Sequence, residues 1–131
     1  MEHDKLRIDV LEGSRPAEKV MVLEGFLNME TAFRFSEAAR KQSAATLVID
    51  MSGVRSVDSS GLGVLIGLYV SFENTCRRLL LAGLNDRIWE LFRVCKIEDV
   101  FTRYPTVADA QQNVQTATDS PRALAPPTPV V

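Results

Sequence analysis

The stretch Thr46-Leu47-Val48-Ile49-Asp50 constrains the fold most. An apolar run without polar alternation is the pattern of a strand covered on both faces. Downstream, Val64-Leu65-Ile66-Gly67-Leu68-Tyr69-Val70 reads as a helix. Between them a loop, residues 51–57, leads to the turn Val57-Asp58-Ser59-Ser60-Gly61-Leu62-Gly63, which carries an acid, two hydroxyls and two glycines. Ser59 or Ser60 is placed to cap the helix, because a short side-chain oxygen accepts from an orphan N–H of the first turn. Asp58 has its own reading as the capping residue.

A hydroxyl at a helix N-terminus is also where an added dianion meets a favourable dipole, the first hint of a phosphate switch. Gly61, Gly63 and Gly67 fall inside the helix, each at a cost of about 1 kcal/mol relative to alanine. Close approach to the sheet accounts for such glycines, as does a partner reaching the backbone. Their clustering at the helix start favours a partner surface for Gly61 and Gly63. Asp58 then either orients the neighbouring hydroxyl or lies near a metal in a phosphotransfer complex.

The remaining chain supplies a β-β-α-β-α-β-α-β-α order. Leu6, Ile8 and Val10 alternate with Arg7 and Asp9, as in a half-buried strand. After a turn at 12–16, residues 19–24 read as a more buried strand pairing with the first as a hairpin. From Met29 the period becomes helical, with Ala32, Phe33, Phe35 and Ala39 on an apolar face that makes Phe33 a core residue. In the helix after the turn, Leu62, Leu65, Ile66 and Tyr69 have the spacing of a sheet-facing stripe. Val64 and Leu68 point elsewhere and are candidate partner contacts. Residues 77–82 read as a fourth strand, and Asn85 or Asp86 caps a third helix with a stripe of Ile88, Leu91, Phe92 and Cys95. Trp89 lies off that stripe. Residues 100–104 read as a fifth strand. Pro105 and Thr106 open a last helix containing Val107, Ala110 and Val114. Residues 1–4 are polar and read as frayed; from Thr116 the prolines of 116–131 read as a disordered tail with extended bias.

Leu47-Val48-Ile49-Asp50-Met51-Ser52-Gly53-Val54 followed by Val57-Asp58-Ser59-Ser60-Gly61-Leu62-Gly63 resembles the STAS domain of bacterial anti-sigma factor antagonists. The resemblance continues at 79–84, 91–94 and 100–110, and covers residues 5–115. It implies a single α/β domain with a mixed sheet. It implies an antagonist whose unphosphorylated form binds an anti-sigma factor serine kinase, an ATPase of histidine-kinase-like fold, and so releases the sigma factor. Ser59 is the implied phosphorylation site, with Ser60 as the alternative. The implied docking residues are Asp58, Ser59, Ser60, Gly61, Leu62, Gly63 and Val64. The kinase would supply ATP, magnesium and the base, and a separate phosphatase would reset the system. No cofactor is implied for this chain. The other role within the family is a non-phosphorylated docking subunit of a signalling assembly or transporter. Two positions depart from the family pattern. Asn28 stands where an acid is frequent, and Lys96 stands near where the family commonly has a helix-ending glycine.

Other chemistries meet obstacles. The 131 residues suit one domain, and 46% hydrophobic residues supply a core without disulfides or a metal. A net charge of −2 gives no basic footprint for nucleic acid. Cys76 and Cys95 are too few for a disulfide scaffold. No apolar run reaches the roughly 18 residues of a membrane span, and the N-terminus lacks a signal-peptide core, so the cytoplasm is expected. An enzyme is not expected. His3 is the one histidine, which leaves a serine nucleophile without a base and a zinc ion without ligands. Val57 breaks the G-x-S-x-G pattern. A dinucleotide loop on Gly61, Gly63 and Gly67 fails because the strand is expected to end near Asp50 and the later acid is missing.

Overall fold

The apolar strand is central. In the computed structural model, which describes residues 5–112, the elements are β1 (Leu6–Glu12), β2 (Glu18–Leu27), α1 (Ala32–Arg40), β3 (Thr46–Val57), α2 (Ser59–Asn74), β4 (Arg78–Ala82), α3 (Asp86–Val94) and β5 (Arg103–Tyr104). Residues 107–112 are also helical. One sheet holds the strands in the order β1-β2-β3-β4-β5. β1 and β2 are antiparallel and the other pairs parallel, so the sheet is mixed, as expected. The expectations for residues 1–4, Val114 and 116–131 lie outside the described residues.

Leu47, Val48 and Ile49 are fully buried because both faces of β3 are covered. On one face, Leu47, Ile49 and Met51 join Met21, Leu23, Leu79 and Leu81 beneath Phe35, Leu65, Phe72 and Phe92 of α1, α2 and α3. On the other, Val48 meets Val20, Leu80 and Tyr104 beneath Ala110 and Val107 of the 107–112 helix. An aromatic chain closes the first layer: Phe101 packs edge-on against Tyr69 of α2 and Phe92 of α3, at centroid distances of 5.2 and 5.5 Å.

Several boundaries differ from the sequence reading. β3 does not end at Asp50 but runs on to Val57, and β2 likewise runs on to Leu27, which pairs with Val57. The extension is irregular, with register shifts between Val22 and Glu24 and between Gly25 and Phe26. It removes one objection to a dinucleotide loop, the gap between strand and glycines; the missing acid remains. β4 starts at Arg78, and β5 is only Arg103–Tyr104. Phe33 is exposed, because α1 buries Ala32, Phe35 and Ala39 instead. Leu68 is fully buried, and Ile66 and Tyr69 are half-buried; the inward stripe of α2 is Gly61, Leu62, Leu65, Leu68 and Phe72. Cys95 is exposed at the end of α3 rather than part of its stripe. Trp89 is half-buried, stacked on Phe92 and under the Arg103 guanidinium.

Two helices end without glycine. Cys76 and Lys96 have φ of 59° and 61°. The next amide in each case reaches back to close the helix, Arg77 N to the Phe72 carbonyl at 2.8 Å and Ile97 N to the Phe92 carbonyl at 2.9 Å. Lys96 therefore takes the left-handed conformation despite its side chain. Thr106 caps the last helix by accepting from Asp109 N at 3.1 Å.

Candidate functional site

The long β3 delivers the chain straight from the sheet into the turn. The Asp58 amide donates to the Leu27 carbonyl at 3.1 Å, continuing the β2–β3 pairing by one more bond. Asp58 is extended, with φ −101° and ψ −174°, and it is the N-cap of α2. Its Oδ1 accepts from the amides of Ser60 at 2.9 Å and Gly61 at 3.0 Å. Its Oδ2 accepts from the Met29 amide at 3.2 Å. One carboxylate thus ties the head of α2 to the turn entering α1.

The serines are not caps. Ser59 is the first residue of α2 and is exposed; Ser60 follows, half-buried. Among the described residues neither hydroxyl has a hydrogen-bond partner. Ser59 Oγ therefore stands at a helix N-terminus beside a carboxylate, open to solvent. Asp58 already engages two first-turn donors, so an anion added to Ser59 meets both the helix dipole and a neighbouring negative charge.

The two glycines of the turn differ. A Cβ on Gly61 would lie 2.6 Å from the Leu27 carbonyl oxygen, and a Cβ on Gly63 would meet nothing within 4 Å. Gly61 is a packing residue that lets α2 lie against the end of β2. Gly63 is exposed and leaves the helix surface low. Leu62 is buried and Val64 half-buried against the core. Of the seven expected docking residues, Asp58, Ser59 and Gly63 are exposed, Ser60 and Val64 partly so, and Gly61 and Leu62 support them from within.

The turn facing this site carries residues that the sequence reading did not place at it. Asn28 Oδ1 accepts from the Glu30 amide at 2.9 Å and the Thr31 amide at 3.2 Å. A carboxylate there could accept the same bonds, so Asn28 keeps the turn and removes a charge. Met29 and Phe33, next to it, are 75% and 71% exposed. The signal for Phe33 was present: Ala32, Phe35 and Ala39 already define a complete inward face at i, i+3 and i+7, which leaves position 33 outside it. Among the described residues there is no group of three or more potential metal ligands, and no helix is long and apolar enough to cross a membrane.

The STAS domain family model matches residues 11–110. The anti-sigma-B factor antagonist of Listeria monocytogenes is 33% identical over 79 residues, 58% of this chain and 69% of the relative. Solved structures share the fold. An anti-sigma factor antagonist from Mycobacterium paratuberculosis superposes with a TM-score of 0.75 at 23% identity, covering 86% of this chain and 96% of that one. A sulfate transporter family protein from Wolinella succinogenes gives 0.72 at 15% identity, covering 83% and 93%. The Bacillus cell fate determinant SpoIIAA in its phosphorylated form gives 0.60 at 19% identity, covering 82% and 99%.

Proposed function

The chain belongs to the STAS domain family, and from that premise we propose that it is an anti-sigma factor antagonist that works by partner switching in the cytoplasm. Unphosphorylated, it binds an anti-sigma serine kinase through the head of α2 and so frees the sigma factor. Phosphorylated on Ser59, it lets the kinase go. A separate phosphatase returns it to the binding form. The observation that carries this reading is the exposed Ser59 hydroxyl, without a partner among the described residues, beside Asp58 and one helical turn from the open backbone at Gly63.

In the transfer, the Ser59 oxygen attacks the γ-phosphorus of ATP, the bond to ADP breaks and the hydroxyl proton leaves. Asp58 is poorly placed to take that proton, because both its oxygens accept backbone N–H bonds. The base therefore belongs to the kinase. Phosphoserine adds about −1.5 to −2 charges. In a complex packed around a small hydroxyl, that charge is desolvated beside Asp58, which weakens binding. A penalty of about 1.4 kcal/mol is already tenfold in affinity.

Phosphate incorporation with magnesium–ATP and a soluble extract of the native host tests this, with peptide mapping of the product. The expected result is label at Ser59 that disappears in Ser59→Ala. Pull-down of the labelling kinase should then show Ser59→Ala bound as the parent is and Ser59→Asp at least tenfold weaker. Label at Ser60 would move the acceptor by one residue. Absence of label from an extract with demonstrated kinase activity would favour the non-phosphorylated docking subunit, a role compatible with the fold shared with the sulfate transporter family protein.

A further inference from the structure

We infer that the docking surface extends from Ser59 across to Met29 and Phe33, and that this pair enters an apolar pocket on the anti-sigma kinase. The inference rests on the proposed function and adds to it an anchor on a different element. Of the two apolar contacts expected from α2, Leu68 is fully buried and Val64 is half-buried against the core. Met29 and Phe33, by contrast, are the two most exposed large apolar side chains among the described residues.

They act as one patch. The Ala32 amide donates to the Asn28 carbonyl at 2.8 Å, an i to i−4 bond, so the turn leading into α1 is already helical in its hydrogen bonding. Residues 29 and 33 are then i, i+4 neighbours. Their exposure is not a failure of α1 to pack, because Ala32, Phe35 and Ala39 fill its inward face. Exposed Glu30 and Arg34 flank the patch. An apolar centre with a charged rim is the anatomy of a protein interface, and methionine and phenylalanine are enriched in such centres.

The occupant follows from continuity. Asp58 Oδ2 holds the Met29 amide, and Asp58 Oδ1 caps the helix whose first residue is Ser59. A protein surface that covers Ser59 therefore meets Met29 within the reach of one carboxylate. Apolar anchoring supplies affinity that does not depend on the serine, and the phosphate then acts on a contact already made beside it.

The test measures the affinity of the kinase purified from the Ser59-labelling fraction for the full chain and for Met29→Ser, Phe33→Ser, the double variant and Leu11→Ser. Leu11 is 53% exposed and pairs with Val20, seven residues along β2 from Leu27 and so about 23 Å away. The expected losses are about tenfold for each single variant and more for the double, with Leu11→Ser within twofold of the parent. Because the substituted side chains are exposed, thermal melting should confirm that all four variants fold. A double variant that binds within twofold of the parent, while Ser59→Asp binds weakly, overturns the anchor and leaves the switch standing. A parent that binds no kinase overturns both. A parent that self-associates through this pair, dispersed by the double variant, assigns the patch to a second copy and also overturns the inference.

Discussion

At residue 61 a single carbon atom separates packing from overlap. The Cβ of Gly61→Ala would lie 2.6 Å from the Leu27 carbonyl oxygen and 2.7 Å from its Cγ. Backbone cannot yield as a flexible side chain does, so α2 must lift at its N-terminus. Overpacking of this kind costs about 1–3 kcal/mol. Two positions on, Gly63→Ala meets no atom within 4 Å and gains helix propensity of about 1 kcal/mol. Chemical denaturation should therefore give opposite signs for these two alanines in one helical turn. Kinase binding separates them again: if a partner lies close over α2, Gly63→Ala is the more stable protein and the weaker ligand. Equal binding by Gly63→Ala would place the partner elsewhere on the turn.

The elements show what residue pattern carries and what it leaves silent. The lower half of β3 was legible because Leu47, Val48 and Ile49 are buried by layers on both faces, and burial selects apolar residues. Its upper half, with Ser52, Gly53, Arg55 and Ser56, looked like a loop. There β3 pairs with β2 alone, since β4 pairs only with Thr46–Asp50. The extension is held by backbone bonds and by the buried side chains of Met51 and Val54, whose three-residue spacing departs from the alternation that marks a strand. The turn at 57–63 was legible as a helix start for a different reason: an acid that caps α2 and a glycine that lets it meet the end of β2 are both needed there. The cap was assigned to either the acid or a serine because spacing alone does not tell which residue stays extended. The departure at Lys96 shows how strongly tertiary structure holds an element's end: α3 closes in left-handed geometry without glycine. A left-handed residue with a Cβ is disfavoured by about 1–2 kcal/mol relative to glycine. Lys96→Gly should therefore raise stability by about 1 kcal/mol, visible as a higher melting midpoint, with kinase binding unchanged.

For the whole molecule, the face of the sheet away from α1, α2 and α3 depends on the helix at 107–112. That helix contributes Ala110 and Val107 to a small apolar cluster, a modest area with which to hold an element in place. A polar clip reinforces it. Glu18, at the start of β2, is 1% exposed. Its Oε2 accepts from the Ser14 amide at 3.1 Å and from Gln111 Nε2 at 2.6 Å, and Ser14 Oγ donates to Oε1 at 3.3 Å. One side chain thus binds the β1–β2 turn and the helix at 107–112 to the start of β2. Glu18→Ala removes the charged acceptor shared by exposed Ser14 and half-buried Gln111, at about 1–3 kcal/mol. Gln111→Ala removes only the arm to the helix and should cost about 0.5–1.5 kcal/mol. Hydrogen exchange distinguishes global from local loss. With Gln111→Ala, protection should fall at 107–112 and at Tyr104 beneath it, while the amides of α2 keep their protection. Unchanged exchange at 107–112 would mean that the apolar contacts of Val107 and Ala110 hold this helix alone. Loss that spread to the head of α2 would mean that the two faces of the sheet are coupled, so that closure of the far face contributes to holding Ser59 in its exposed position.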